Sequence, residues 1–119
     1  FLGWREDVYS VLAGLDLLAV PSPREPGTPR VILEAYACGV PVVAFPSGGI
    51  AEIVANGKTG VLVEPPTAEA LAAEIRTLLE HPARLGELAE AAAALWRERF
   101  TLGRYREQML RLMASVAGR

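Results

Sequence analysis

Three short runs of consecutive apolar residues divide the first half of the chain. They span residues 17–20, 41–45 and 60–63. Apolar residues at successive positions leave no polar face, so each run predicts a strand that is buried on both sides, as in a parallel sheet. The stretches between them predict helices over residues 6–13, 31–38 and 50–55. Strands that alternate with helices in this way predict an α/β fold.

The second half of the chain has the spacing of helices. Apolar side chains recur every three or four residues over residues 68–80, from Pro82 to about residue 99, and again after Thr101. Thr67 and Thr101 each fit the capping position before a helix. We expect Trp96 to lie in the core together with an apolar stripe of the last helix, formed by Tyr105, Met109, Leu112, Met113 and Val116.

Composition narrows the class of protein. The 119 residues are 51% hydrophobic and 22% charged, which excludes intrinsic disorder. The formal net charge of −2 gives no basic excess, so nucleic acid is not an expected partner. A single cysteine, Cys38, and a single histidine, His81, exclude a disulfide framework and a His- or Cys-rich metal site. No metal or other cofactor is therefore expected.

The beginning of the chain does not have the pattern expected of a secretory signal. It starts with FLGWRED, without a methionine, a basic region or a cleavage site. We expect a cytoplasmic location and a chain that starts inside a longer polypeptide. Three strands are also few for a doubly wound nucleotide-binding domain, which usually has about six. We therefore expect residues 1–119 to form the second half of a Rossmann-like doubly wound parallel sheet.

The segment after the first predicted strand could carry chemistry. Thr28 fits a helix cap and Pro29 the first helical position, so the amides of Arg30 and Val31 would point out of the helix start and form an anion site. Glu34 lies about one turn into this helix, where its carboxylate could accept hydrogen bonds from a ribose diol. Glu25, in the loop, could meet a sugar hydroxyl or a developing positive charge.

The same residues also have purely structural interpretations. A loop rich in proline and glycine before a helix is a common connection between elements of α/β proteins. Glu34 could form only a surface ion pair with Arg30, and Glu25 could be a solvated loop charge. Gly48 and Gly49 could form a simple turn. The residues by themselves leave both interpretations open.

The ordered set of motifs resembles the C-terminal domain of group-1 glycosyltransferases, which are retaining enzymes of the GT-B fold. The family signature is a Pro-Ser strand end, a Glu-x7-Glu loop and helix, Ala-x-Gly-x-Pro-Val-Val, a Gly-Gly-x-x-Glu loop and a Gly-x-x-Gly-x-Leu-Val strand. The corresponding segments of this chain are Pro21-Ser22, Glu25 to Glu34, residues 37–43, residues 48–52 and residues 57–63.

The resemblance implies roles for particular residues. The donor would be a nucleoside-diphosphate sugar, with Glu34 on the ribose and amides of Thr28, Arg30 and Val31 on the diphosphate. Gly48 and Gly49 would face the cleft. Glu25 matches the sugar-contacting position with an offset, because eight residues instead of seven separate it from Glu34. Either the loop bulges by one residue and Glu25 reaches the sugar, or that contact is lost.

These implications define the expected function. The parent protein would transfer a sugar from a nucleoside-diphosphate sugar to an unidentified acceptor (a carbohydrate, a lipid or a small molecule), with retention. The family's diphosphate-neutralising Arg and Lys and its acceptor domain would precede residue 1, so the chain alone would be inactive. A non-catalytic nucleotide-binding fragment and a GT-B-fold sugar-nucleotide epimerase are the alternatives. The first strand should also expose an edge through which the chain could self-associate.

Overall fold

The computed structural model describes residues 1–118. Three short strands form one parallel sheet in the order β1-β2-β3. The elements in chain order are α1 (Val8–Ala13), β1 (Leu18–Val20), α2 (Arg30–Ala37), β2 (Val42–Ala44), α3 (Ile50–Ile53), β3 (Gly60–Leu62), α4 (Ala68–Glu80), α5 (Pro82–Leu95), a π-helical segment (Trp96–Phe100) and α6 (Leu102–Ala117). The predicted alternation of strands and helices is confirmed.

The sheet is covered on both faces. Successive residues of β2 point to opposite sides, so Val42 and Ala44 enter one apolar cluster and Val43 enters another. The first cluster holds the buried faces of α1, α2 and α3, and the second holds that of α4; α5 contributes Ala92 to the first cluster and Leu88 to the second. Every residue of β2 is buried, as its continuous apolar run predicts.

The two edges of the sheet differ. Leu18 donates its N–H to Pro41 (2.9 Å) and Val20 accepts from Phe45 (3.3 Å), so Ala19, between them, directs its backbone N–H and C=O away from β2. Ala19 is accordingly exposed, although its apolar run predicts burial. At the opposite edge, the β3 backbone finds partners in its own preceding loop. The N–H of Leu62 donates to Asn56 Oδ1 (3.0 Å), and Gly60 accepts from the N–H of Gly57 (2.8 Å).

A buried hydrogen bond fixes α2, the helix that follows β1. The hydroxyl of Tyr36 lies 2.9 Å from Thr59 Oγ1, which also accepts the N–H of Ala55 (3.0 Å). Burial raises the pKa of the Tyr36 phenol, and the hydrogen bond to Thr59 partly offsets this rise. This contact ties α2 to the loop between α3 and β3, far along the chain.

The predicted helix caps at Thr67 and Thr101 are confirmed, and the predicted cap at Thr28 is wrong. Thr67 accepts the N–H of Ala70 (3.2 Å) and Thr101 accepts that of Arg104 (3.3 Å), as expected. Thr28 does not cap α2. Pro29 holds the capping position in an extended conformation with no side-chain bond, and the helix begins at Arg30. The hydroxyl of Thr28 is instead directed towards Gly49 in the neighbouring loop.

The C-terminal region departs most from the predictions. The helix expected to continue to about residue 99 ends at Leu95 and passes into the π-helical segment. The stripe of α6 expected in the core is exposed, because α6 packs mainly against that segment and has no further layer to cover it within residues 1–118. Trp96, also expected in the core, is half-buried against the first cluster.

Candidate functional site

Two loops meet at the carboxyl ends of β1 and β2. Parallel strands bring these ends to the same edge of the sheet, where open α/β sheets bind ligands. The Ser47 hydroxyl donates to the carbonyl of Ser22 (2.7 Å). The N–H of Gly49 donates to the carbonyl of Gly27 (2.9 Å). These bonds hold residues 21–29 and 46–49 together as one surface.

Gly48 is the closest contact between the two loops. It adopts φ +53°, and a Cβ at this position would overlap the backbone oxygen of Glu25 and lie 2.9 Å from its carbonyl carbon. Only glycine combines a left-handed backbone with so close an approach. The contact places Glu25, which is half-buried, directly beside Gly48. Glu25 therefore belongs to the surface that the two loops share.

Gly49 makes a second close approach. A Cβ here would overlap Thr28 Oγ1 and lie 3.1 Å from the carbonyl oxygen of Gly27. The structure thus brings Glu25, Thr28, Gly48 and Gly49 together, although Thr28 makes a loop contact there instead of capping the helix.

The start of α2 opens onto the same edge. Arg30 and Val31 are its first two residues, and Ile32 is the first to donate within the turn, to Pro29 (3.2 Å). The N–H groups of Arg30 and Val31 precede any intrahelical acceptor. Together with the helix dipole, two such amides favour an anion. The amides of Arg30 and Val31 thus lie at the start of α2, and their role as an anion site stays a prediction.

Glu34 lies one turn further into α2. Its side chain is 22% exposed, and its Oε1 lies 4.0 Å from a nitrogen of Arg30, whose side chain is 91% exposed. A pair this long and this exposed is weak, so it leaves the carboxylate able to accept other hydrogen bonds. Glu34 borders two cavities, of about 420 and 440 Å³. The carboxylate is thus positioned as a ligand-binding group would be.

The N-terminal segment forms a wall of the site that sequence reasoning missed. Leu2, Gly3, Trp4 and Arg5 line the cavity of about 440 Å³ with Glu34. Trp4 is 92% exposed. The only signal for it was a short apolar start to the chain, Phe1 to Trp4, outside any helical or strand periodicity.

An ion pair shapes this N-terminal wall. Arg5 donates to both carboxylate oxygens of Asp7 (2.7 and 2.6 Å), and this contact lowers the pKa of Asp7. Asp7 occupies the capping position of α1. The pair thereby joins the N-terminal segment to the first helix.

Within residues 1–118, no helix is long and apolar enough to cross a membrane. The same residues contain no group of three or more His, Cys, Asp or Glu side chains arranged to hold a metal ion.

A parallel sheet with helices on both faces and loops meeting at the carboxyl ends of its strands is typical of nucleotide-binding α/β proteins. Residues 1–81 match the family model for glycosyl transferases group 1. The chain belongs to this family, whose members have the GT-B fold.

Individual relatives agree with this assignment. The chain is 42% identical over 87 residues to D-inositol 3-phosphate glycosyltransferase of Rhodococcus erythropolis, covering 73% of this chain and 20% of the relative. It is 31% identical over 115 residues to the lipopolysaccharide core biosynthesis glycosyltransferase LpsE of Rhizobium meliloti, covering 97% of this chain and 34% of that one. The chain thus spans about a fifth to a third of these relatives.

A solved structure shows the same architecture. Anabaena HepE in complex with UDP is 37% identical, with a TM-score of 0.89, and the match covers 97% of this chain and 32% of that one. The predicted family and fold class are confirmed.

Proposed function

We propose that this chain is the donor-binding half of a glycosyltransferase that takes a sugar from a nucleoside-diphosphate sugar, with retention, and passes it to an acceptor. The observation that carries the proposal is the joined edge of the two loops, where the start of α2 presents two amides one turn from Glu34. The similar Anabaena HepE is solved with UDP and with UDP-glucose. The acceptor, a carbohydrate, a lipid or a small molecule, would bind outside residues 1–119.

In this proposal each group has a distinct role. The amides of Arg30 and Val31 hold the diphosphate, since a helix start carries a partial positive charge of about half a unit. Glu34 accepts hydrogen bonds from the ribose hydroxyls. Gly48 and Gly49 allow the second loop to lie close to the first, so that the diphosphate meets backbone and not side chains. No metal ion takes part.

Glu25 is proposed to contact the transferred sugar. The one-residue offset of Glu25 from the family spacing would remove this contact if the loop moved Glu25 away from the carboxyl ends of β1 and β2. Its position beside Gly48, half-buried, supports the bulged-loop interpretation, in which the extra residue is absorbed within residues 26–29. A carboxylate at this position could also stabilise positive charge that develops on the sugar during transfer.

The test is a calorimetric titration of UDP into the 119-residue chain, repeated with EDTA. Glu34→Gln should raise the dissociation constant by about 5- to 150-fold, as expected when a hydrogen bond to a charged group worth about 1–3 kcal/mol is lost. Glu80→Gln, which removes an exposed carboxylate at the end of α4, is the matched control and should bind as the wild type does. Equal affinity of Glu34→Gln and wild type would refute the ribose role, and loss of binding with EDTA would refute metal-free binding.

A second set of measurements separates the alternative functions. Incubation with UDP-glucose and a panel of acceptors, with the remaining part of a relative supplied in trans, should give acceptor-dependent transfer. The chain alone should bind nucleotide without turnover. Isomerised donor would support the epimerase, and nucleotide binding without transfer under all conditions would support a binding module.

Location and self-association are further parts of the proposal. We propose that the protein works in the cytoplasm, where fractionation of its source cells should find it. We also propose that the open edge of β1 can pair with another strand, because the N–H and C=O of Ala19 face outward. Ala19→Pro removes the donor and should weaken such pairing, which sedimentation can measure.

A further inference from the structure

Two hydroxyl groups lie in the interior, between α2 and the loop that precedes β3. Tyr36 is fully buried, Thr59 is 2% exposed, and their side-chain oxygens lie 2.9 Å apart. Within residues 1–118, this is the one hydrogen bond that joins two buried side chains. Burying two hydroxyl groups has a desolvation cost that apolar residues of the same shape would avoid. The pair is therefore better explained by the geometry that it imposes than by stability alone.

The hydroxyl oxygen of Thr59 is held in place independently of α2. Its Oγ1 accepts the N–H of Ala55 (3.0 Å), and its own N–H donates to the carbonyl of Ala55 (3.0 Å). Two hydrogen bonds between the same two residues fix the turn over residues 55–59. This turn follows α3, which begins directly after Gly49. Tyr36 thus connects α2 to the segment that also carries the second loop of the site.

The bond with Thr59 sets how α2 is rotated about its axis. The other buried residues of α2 are Ile32 and Ala35, whose apolar contacts do not specify a direction. A hydrogen bond does, because it weakens steeply as its angle departs from the preferred range. Tyr36 and Glu34 are two positions apart, which places them about 200° apart around the helix. A contact that holds Tyr36 on one side of α2 therefore also determines where the carboxylate of Glu34 lies on the other.

We propose that Tyr36 and Thr59 are positioning residues of the donor site, whose hydrogen bond holds α2 in the rotation that presents Glu34 to the ribose. This inference rests on the proposed function, because it assigns the pair to the ribose contact of Glu34. The contacts between the two loops hold the site together at the carboxyl ends of β1 and β2. The Tyr36–Thr59 bond holds the same two segments together from the interior.

Two substitutions at Thr59 separate positioning from stability. Thr59→Val keeps the shape of the side chain but removes Oγ1, and it should raise the dissociation constant of UDP about 3- to 10-fold in calorimetry. The increase should not exceed that of Glu34→Gln, because the carboxylate is displaced and not removed. Thr59→Ser keeps Oγ1 and loses a buried methyl group, so it should unfold at lower urea but bind UDP as the wild type does.

Thr67→Ala is the matched control for stability. It removes a hydroxyl that accepts the N–H of Ala70 (3.2 Å) at the start of α4, which packs in the second cluster. Loss of this cap should lower the urea midpoint without changing the affinity for UDP. A purely structural role of Thr59 would make Thr59→Val behave as Thr67→Ala does, and this result would overturn the proposal.

A double-mutant cycle tests whether the pair acts through Glu34. Tyr36→Phe removes one hydroxyl and should raise the dissociation constant of UDP about 3- to 10-fold in the wild-type background. In the Glu34→Gln background the same change should have an effect of less than about twofold, because the group that it positions is already altered. An equal loss of affinity in both backgrounds would contradict the positioning role.

Amide hydrogen exchange without nucleotide makes the test independent of the proposed function. The amides of α2 should exchange faster in Thr59→Val than in Thr59→Ser or Thr67→Ala, because only the first variant releases α2 from the turn. If the wild-type chain does not bind UDP, the proposed function fails, and this measurement alone decides whether the pair holds α2. Equal protection of α2 in the three variants would overturn the inference whether or not UDP binds.

Discussion

Replacing Gly48 with alanine adds a methyl group where the backbone of Glu25 already lies. A Cβ there would stand 2.9 Å from the carbonyl carbon of Glu25 and overlap its oxygen, and the residue would have to keep φ +53°. A non-glycine residue in this region costs about 1–2 kcal/mol. Forcing an extra methyl group into a filled space costs about 1–3 kcal/mol more. The expected loss of stability is therefore about 2–5 kcal/mol if the two loops stay together.

Urea denaturation of the isolated chain measures this loss. With a slope of about 2 kcal/mol per molar urea, the midpoint should fall by roughly 1–2.5 M. The loops could instead separate without unfolding the rest of the domain, since loops open locally at lower cost than cores. In that case the midpoint would change little, but the affinity for UDP should fall at least tenfold, because Gly49 would no longer hold Gly27 in place.

Gly27→Ala is the control for this prediction. Gly27 lies in the same loop, but a Cβ there would meet nothing within 4 Å. It should leave the urea midpoint and the affinity for UDP close to those of the wild type. If Gly48→Ala matches Gly27→Ala in both measurements, the two loops are not in contact and the proposed site is not assembled in this way.

Two further substitutions test the sugar contact and the buried phenol. Glu25→Ala should leave the dissociation constant of UDP within about twofold but weaken UDP-glucose at least fivefold, as loss of a sugar contact of about 1 kcal/mol predicts; an unchanged preference for UDP-glucose in calorimetry would contradict the bulged loop. Tyr36→Phe should cost about 1 kcal/mol near neutral pH. Because burial raises the pKa of Tyr36 above its ordinary 10.0, the stability contributed by the protonated phenol is complete below about pH 10 and is lost as the pH rises through the raised pKa. The wild-type advantage over the variant in urea should thus shrink above pH 10, by up to ~1.4 kcal/mol per pH unit, and a constant difference would show that Tyr36 ionises as freely in the folded state.

The sequence predicts those parts of the molecule whose determinants are local. A threonine before an amphipathic run caps the helix at Thr67 and Thr101, because only the next turn of backbone is needed. Thr28 has the same chemistry but faces another loop, and nothing within its own segment could show that Gly49 would lie beside it. The continuous apolar run at residues 17–20 likewise indicates a buried strand. Ala19 is nevertheless exposed, because β1 has a neighbouring strand on one side only.

For α6, too, the sequence predicts the helix but not the surface against which it packs. Its amphipathic spacing correctly predicts a helix with one apolar face. The spacing of apolar residues predicts that one face of the helix is apolar, but it does not predict which surface packs against that face. The placement of Arg30, Val31 and Glu34 along the first turns of α2 was easier to predict, because it depends on a single helix start. The wall formed by Leu2 to Arg5 comes from a distant segment and was not predictable from the loop motif.

The two edges of the sheet differ in how readily each can pair with a further strand. At one side Asn56 accepts from the outward N–H of Leu62 and Gly57 donates to the outward C=O of Gly60, whereas at the other side Ala19 directs both of its backbone groups outward. A strand added to this sheet, whether fused, supplied as a separate polypeptide or designed, would find more free backbone groups next to β1. For protein engineering, the edge of β1 is therefore the position at which to supply a complementary strand, since the outward N–H of Leu62 and C=O of Gly60 at the β3 edge already have partners.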